Sequence, residues 1–140
     1  MNEITPAGYN LTAKKFIPGI TWFLVVMVLL FTPGNDLPEV GDWFARINFD
    51  KFIHMGVFGL LTFLFMFPIG KSQLTGTKKA HYFLKIALCA CLWGITSELV
   101  QKYFIPGRSF DLLDWAADSI GAAVAWLFCR KVYLKQAHSG

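Results

Sequence analysis

Four windows of the chain are almost continuously apolar: Phe16 to Thr32, Phe52 to Gly70, Tyr82 to Val100, and Leu112 to Cys129. A helix crosses the hydrocarbon of a bilayer with roughly 20 such residues, within a range of about 17 to 25. Gly, Pro, Asn, Asp or Lys stand at the ends of the windows, where turns and headgroups replace hydrocarbon. The pattern predicts an all-α integral membrane protein, a four-helix bundle over residues 16–130. Tails cover residues 1–15 and 131–140, leaving no room for a separate soluble domain. The intervening stretch 33–49 holds turn residues, with Trp43, Phe44 and Ile47 suited to a short amphipathic segment in the interface.

Composition agrees. Of 140 residues, 55% are hydrophobic and only 16% charged, against about 25% charged in soluble domains. So apolar a chain cannot hide its surface in a small globule, and 14 Phe with 5 Trp exclude disorder. The basic pI near 9.1 gives no reason to expect a nucleic-acid partner, because the basic residues flank apolar runs rather than stacking platforms. They report orientation instead. Lys14, Lys15, Lys71, Lys78, Lys79, Lys85, Arg130, Lys131 and Lys135 fall on one side, while Arg46, Lys51, Lys102 and Arg108 share the other with eight of the nine acids. The positive-inside rule then places both termini in the cytoplasm. The first window lacks a small-x-small cleavage site and reads as a span rather than a signal peptide. Cys89, Cys91 and Cys129 lie inside spans and read as small apolar filler rather than a disulfide or metal framework.

The polar residues of spans two to four gather at their outer ends and share faces. At about 100° per residue, Asp111, Asp114, Asp118, Gly121 and Ala125 form one stripe of span four. Ala87, Cys91, Gly94, Glu98 and Gln101 form another on span three. Asp50, His54 and Phe58 repeat at four-residue spacing on span two, beside Lys51. Ionisable groups inside a bilayer usually face a bundle interior or a watery cavity, and small residues deeper in the same stripes let helices approach. The expectation is a tight bundle that opens, toward the extracytoplasmic leaflet, into a polar pocket. His54, Glu98, Gln101, Asp111, Asp114 and Asp118 line it, under a connection carrying Pro106-Gly107-Arg108.

Several of these residues also have plainer roles. Asp50 and Asp111 suit helix caps, Lys51 a snorkelling cation, Arg108 a surface ion pair with Asp111, and His54 a hydrogen-bonded structural histidine. Glu98 and Asp118 are harder to explain so, since a carboxylate about one turn inside the boundary needs a partner, a proton or a cation.

The string Asp50-Lys51-Phe-Ile-His54, then Glu98-x-x-Gln101, Pro106-Gly107-Arg108, Asp111-x-x-Asp114 and Gly121, resembles the VanZ-like family of bacterial membrane proteins, in order and spacing, over most of the chain. The resemblance implies a compact four-helix domain in the cytoplasmic (inner) membrane. It also implies a link to teicoplanin susceptibility and kinship with membrane enzymes acting on lipid headgroups or phosphate-linked lipids. Asp118 departs from the Asn often found at that position and adds a negative charge.

Two functions are compatible with these residues. One is an enzyme acting on a lipid-linked headgroup or envelope precursor: Arg108, with Gln101 and Lys51, binds phosphate; His54, Glu98, Asp114 and Asp118 carry the chemistry; Asp50, Asp111, Gly94 and Gly121 orient and pack. Glu98, Asp114 and Asp118 are then candidate ligands for a divalent cation, Mg²⁺ or Ca²⁺. The other is a non-catalytic module that binds a lipid, a wall precursor or a partner protein, its polar residues locking three helices together. The stripes become Gly, Ala and Cys below Asp118 and Glu98, which argues against a transport path through the membrane.

Overall fold

The computed structural model describes residues 10–33 and 49–135. The expected interfacial segment around Trp43 lies outside them, as does the side chain of Asp50. A 3-10 turn, Ala13–Phe16, leads into α1 (Ile17–Phe31). Then come α2 (Phe49–Lys71), α3 (Gly76–Phe104) and α4 (Leu112–Cys129), which a π-helical turn prolongs over Arg130–Leu134. All four helices, the first counted with its 3-10 turn from Ala13, are long and apolar enough to cross a membrane, and no strand occurs among the described residues.

α2 and α3 overrun their apolar windows, whereas α1 and α4 keep to theirs, because hydropathy marks the hydrocarbon and backbone hydrogen bonding continues until something caps it. For α3 that cap is Thr75, whose hydroxyl accepts the Lys78 amide at 3.4 Å. The Lys79 ammonium donates to the Gly70 carbonyl at 2.9 Å, satisfying the end of α2. The connector from α2 to α3 is therefore only residues 72–75, and most of the stretch between the second and third apolar windows is helix.

Glycines set the closeness of the bundle. A Cβ on Gly121 of α4 would fall on the Met55 carbonyl oxygen of α2 and lie 3.0 Å from the Gly59 amide nitrogen. One on Gly59 would lie 3.3 Å from the Gly121 carbonyl. These two helices touch backbone to backbone, the small-residue packing that membrane bundles use in place of a hydrophobic drive. At Gly94 of α3 a Cβ would stand 3.2 Å from the Trp115 ring and 3.3 Å from the Asp118 Cβ. The Trp115 indole N–H donates to the Cys91 carbonyl at 3.0 Å, fastening α4 to α3.

Toward the other end, Met66, Ile69, Phe83, Ala87, Cys129 and Tyr133 form the main apolar core. The first helix is a lighter addition. It buries Gly19, Val26 and Leu30, packs Val26 and Leu30 on Phe58 of α2, and donates a bond from Trp22 Nε1 to the Val57 carbonyl at 3.1 Å. Leu24, Val28, Leu92, Leu113, Val124 and Phe128 point outward, as lipid-facing side chains do. All three cysteines are free, Cys129 buried and Cys89 exposed.

Candidate functional site

The site is built by three helices at the end of the bundle where α3 gives way to α4. His54 sits on the second turn of α2, Glu98 near the end of α3, and Asp114 and Asp118 one turn apart on α4. The glycine contacts bring these stations together: Gly121 lies one turn from Asp118, and its contact Met55 follows His54 directly.

His54 Nδ1 lies 2.8 Å from Asp118 Oδ1. With the proton on Nδ1 the imidazole donates, and Asp118 fixes the ring's orientation. The other ring nitrogen, Nε2, faces Asp114 Oδ2 at 3.7 Å. Lys51, one turn before His54, donates to Asp111 Oδ2 at 2.6 Å and also to Asp114, so α2 grips the start of α4 through two ion pairs. The ammonium holds the Asp111 carboxyl below the usual carboxylate range. Asp111 also caps α4, its Oδ1 accepting the Leu113 amide at 2.9 Å. Its own amide donates to Glu98 Oε2 at 3.1 Å, tying the cap to α3.

Burial divides the cluster. Glu98 and Asp118 are 1% and 0% exposed, whereas the side chains of His54 and Asp114 keep 14% and 18% of their surface. The less buried edge of the cluster is therefore the His54–Asp114 side. Glu98 Oε1 and Asp118 Oδ2 are buried with no hydrogen-bond partner among the described residues. One donor atom from each of His54, Glu98 and Asp118 lies within 4.8 Å of the others. Glu98, Asp114 and Asp118 were candidate cation ligands on the sequence; the group within 4.8 Å is His54, Glu98 and Asp118, while Asp114 is engaged by Lys51.

Gln101 and Arg108 stand apart. Gln101 Nε2 donates to the Leu30 carbonyl at 2.7 Å. Arg108 Nε and Nη2 donate to the carbonyls of Thr32 and Leu29, both at 3.3 Å. Three carbonyls at the end of α1, where no further turn supplies amide donors, are thereby satisfied. The Arg108 contacts described are with α1 rather than the expected Asp111. Gly107 next to it has φ 74°, which suits glycine in the turn that redirects the chain toward α4. Nothing in the local sequence pointed to α1 as the partner, because its carbonyls lie more than 70 residues away.

A groove of about 550 Å³ on the flank of α2 away from His54 is apolar, lined by Phe52, Gly56, Gly59, Leu60, Val124 and Phe128 among others. It faces the region of the outward apolar side chains and shares no residue with the polar cluster.

The comparisons with known proteins agree with this architecture. The VanZ/LLP1 family matches residues 2–134. An uncharacterised protein of the fission yeast Schizosaccharomyces pombe is 37% identical over 126 residues, covering 87% of this chain and 67% of its own. No solved structure matches.

Proposed function

This chain belongs to the VanZ/LLP1 family, and we propose that its polar cluster acts on a lipid headgroup or phosphate-linked lipid at the extracytoplasmic leaflet. The observation that carries the reading is the meeting of His54, Glu98, Asp114 and Asp118 at one end of the bundle, part buried and part exposed. A buried carboxylate bonded to an imidazole keeps that ring in one orientation, which suits it to proton transfer. His54 and Asp114 lie at the exposed edge, where a headgroup resting at the membrane surface reaches them. Asp118 and Glu98 stand behind.

Lys51 is the nearest described cation to these carboxylates, and it is engaged with Asp111 and Asp114. Arg108 serves this reading from a distance, by holding α1 against the bundle. The family resemblance supports an envelope lipid or wall precursor as the substrate class and a glycopeptide phenotype as the readout in bacteria. A relative in fission yeast favours a lipid shared between kingdoms over a wall-specific one. The distribution of Lys and Arg supports cytoplasmic termini.

The test is turnover. Purified protein in detergent is offered mixed phospholipids and polyprenyl phosphates, and headgroup or phosphate release is read by mass spectrometry. His54→Gln and Glu98→Gln should melt within a few degrees of the parent while losing turnover. Turnover unchanged in both variants removes these residues from the chemistry.

The non-catalytic reading draws on a separate observation: Lys51, Asp111 and Glu98 together lock α2, α3 and α4. It requires the same variants to lose thermal stability and to change any phenotype only in proportion to protein level.

A further inference from the structure

We infer that His54, Glu98 and Asp118 form a binding site for one divalent transition-metal ion of the zinc or manganese type. The inference rests on the reading of this cluster as the reacting centre, and it adds the cation that centre needs.

Charge is the first argument. Among the described residues, Glu98, Asp111, Asp114 and Asp118 place four carboxylates within one network, against the ammonium of Lys51 and the imidazole of His54. Lys51 is spent on Asp111 and Asp114, at the surface side. Of the two deepest carboxylates, Asp118 meets the imidazole and Glu98 the Asp111 amide, and neither is paired with a described Lys or Arg. A phosphate brought to such a cluster meets net negative charge, and the guanidinium expected to receive it is 3.3 Å from the carbonyls of Leu29 and Thr32 instead. A bound dication offsets most of that charge and puts a positive centre at the place where a phosphoryl oxygen would arrive.

The orphaned oxygens are the second argument. Glu98 Oε1 and Asp118 Oδ2 have no hydrogen-bond partner among the described residues, although their residues are 1% and 0% exposed. Buried polar atoms are nearly always paired, and a pair left open in one cluster calls for a ligand. Carboxylate oxygens only accept when ionised, so the missing partner is a donor or a cation.

Geometry selects the ligand. Ligands about 2.1 Å from a common ion and adjacent on its sphere stand about 3 Å apart. The Nδ1–Oδ1 separation of His54 and Asp118, 2.8 Å, is close to that figure. The whole set lies within 4.8 Å, a span that small side-chain rotations bring inside one coordination sphere. In this arrangement the ion replaces the proton on Nδ1, and the hydrogen moves to Nε2, which faces Asp114 Oδ2. A carboxylate behind the second nitrogen of a ligating histidine is the usual way such rings are held. One imidazole with two carboxylates suits Zn²⁺ or Mn²⁺; Mg²⁺ and Ca²⁺ prefer all-oxygen sets. Two protein faces are closed by burial, and the His54–Asp114 edge leaves a position for substrate.

The experiment uses the whole chain in detergent. Metal content after dialysis is measured by mass spectrometry, and melting is followed after chelation and after return of Zn²⁺, Mn²⁺, Mg²⁺ or Ca²⁺ separately. The parent should hold about one equivalent of zinc or manganese, and chelation should lower its melting point by about 5 °C or more, reversed by Zn²⁺ or Mn²⁺ alone. Affinity should fall at least about tenfold in Glu98→Gln and His54→Gln and stay unchanged in Arg108→Ala. The parent holding no metal and showing no shift with any ion overturns the site, as does restoration by Mg²⁺ or Ca²⁺ equal to that by Zn²⁺. Should the variants fail to fold, the chelation cycle on the parent decides alone. Lipid turnover that survives full metal removal sinks the metal and leaves the enzymatic reading standing. Stoichiometric metal with no turnover of any phosphate-linked lipid sinks that reading and leaves the metal site.

Discussion

Replacing Gly121 by Ala tests whether backbone contact between α2 and α4 sets the site. The new methyl meets the Met55 carbonyl oxygen and, at 3.0 Å, the Gly59 amide nitrogen. Both are main-chain atoms inside a helix and cannot swing aside. The helices must therefore part, by about 1 Å, which forfeits a quarter to a half of each dispersion contact along the seam. Overpacking of this kind costs about 1–3 kcal/mol. Parting also stretches the 2.8 Å His54–Asp118 bond, whose loss adds about 1 kcal/mol. A total of about 2–4 kcal/mol corresponds to a melting point lowered by roughly 6–15 °C in a chain of this size. The matched control is Gly56→Ala, where a Cβ meets nothing within 4 Å; its expected effect is zero to a gain of about 1 kcal/mol from the helix preference of Ala. Thermal unfolding of the two variants side by side in one detergent is the assay. A Gly121→Ala protein as stable as Gly56→Ala refutes the reasoning.

Arg108→Ala should loosen the outer end of α1 by about 1–2 kcal/mol: hydrogen exchange rises in residues 28–32 and stays constant in α2 to α4, and uniform exchange across all helices counts against it. Arg108→Lys should restore little, because one ammonium cannot reproduce a fork that reaches two carbonyls. At Gly94→Ala the neighbours are the Trp115 ring and the Asp118 side chain, which can shift, so the melting point should fall by less than in Gly121→Ala; the reverse order is the failing result. Acid sensitivity follows from Asp111, whose folded-state pKa is depressed by Lys51. That pair's stabilisation is complete above the unfolded Asp value of about 4 and is lost as pH falls through the lower folded value. Lys51→Gln should therefore lower the melting point at pH 7 and flatten its decline below pH of about 4, and an unchanged slope contradicts the assignment.

The four spans were legible because each is an uninterrupted apolar window, and the stripes were legible because small and polar residues recur at helical spacing on one side. Those two patterns suffice to bring His54, Glu98, Asp114 and Asp118 together. The role of Arg108 was not legible. Its partners are backbone carbonyls of α1, which any sequence would supply and no side-chain pattern marks. Lys51 was read as a snorkelling or phosphate-binding cation; its bridge to Asp111 and Asp114 depends on how far α2 slides along α4, and Gly59 and Gly121 determine that register. The helical extensions of α2 and α3 were not legible in hydropathy, because Thr75 and Lys79 carry hydrogen bonding past the apolar windows.

Because Gly59 rides directly on Gly121, the pairing of α2 with α4 acts as a rigid spine through the depth of the bilayer. Membranes differ in thickness, and a spanning bundle adapts by tilting or bending where it is soft. The soft parts here are remote: the lightly seated α1 and the π-helical turn at Arg130–Leu134. Such mismatch is expected to be taken up there, so that a bundle built this way should keep the 2.8 Å His54–Asp118 contact in thin and thick membranes alike.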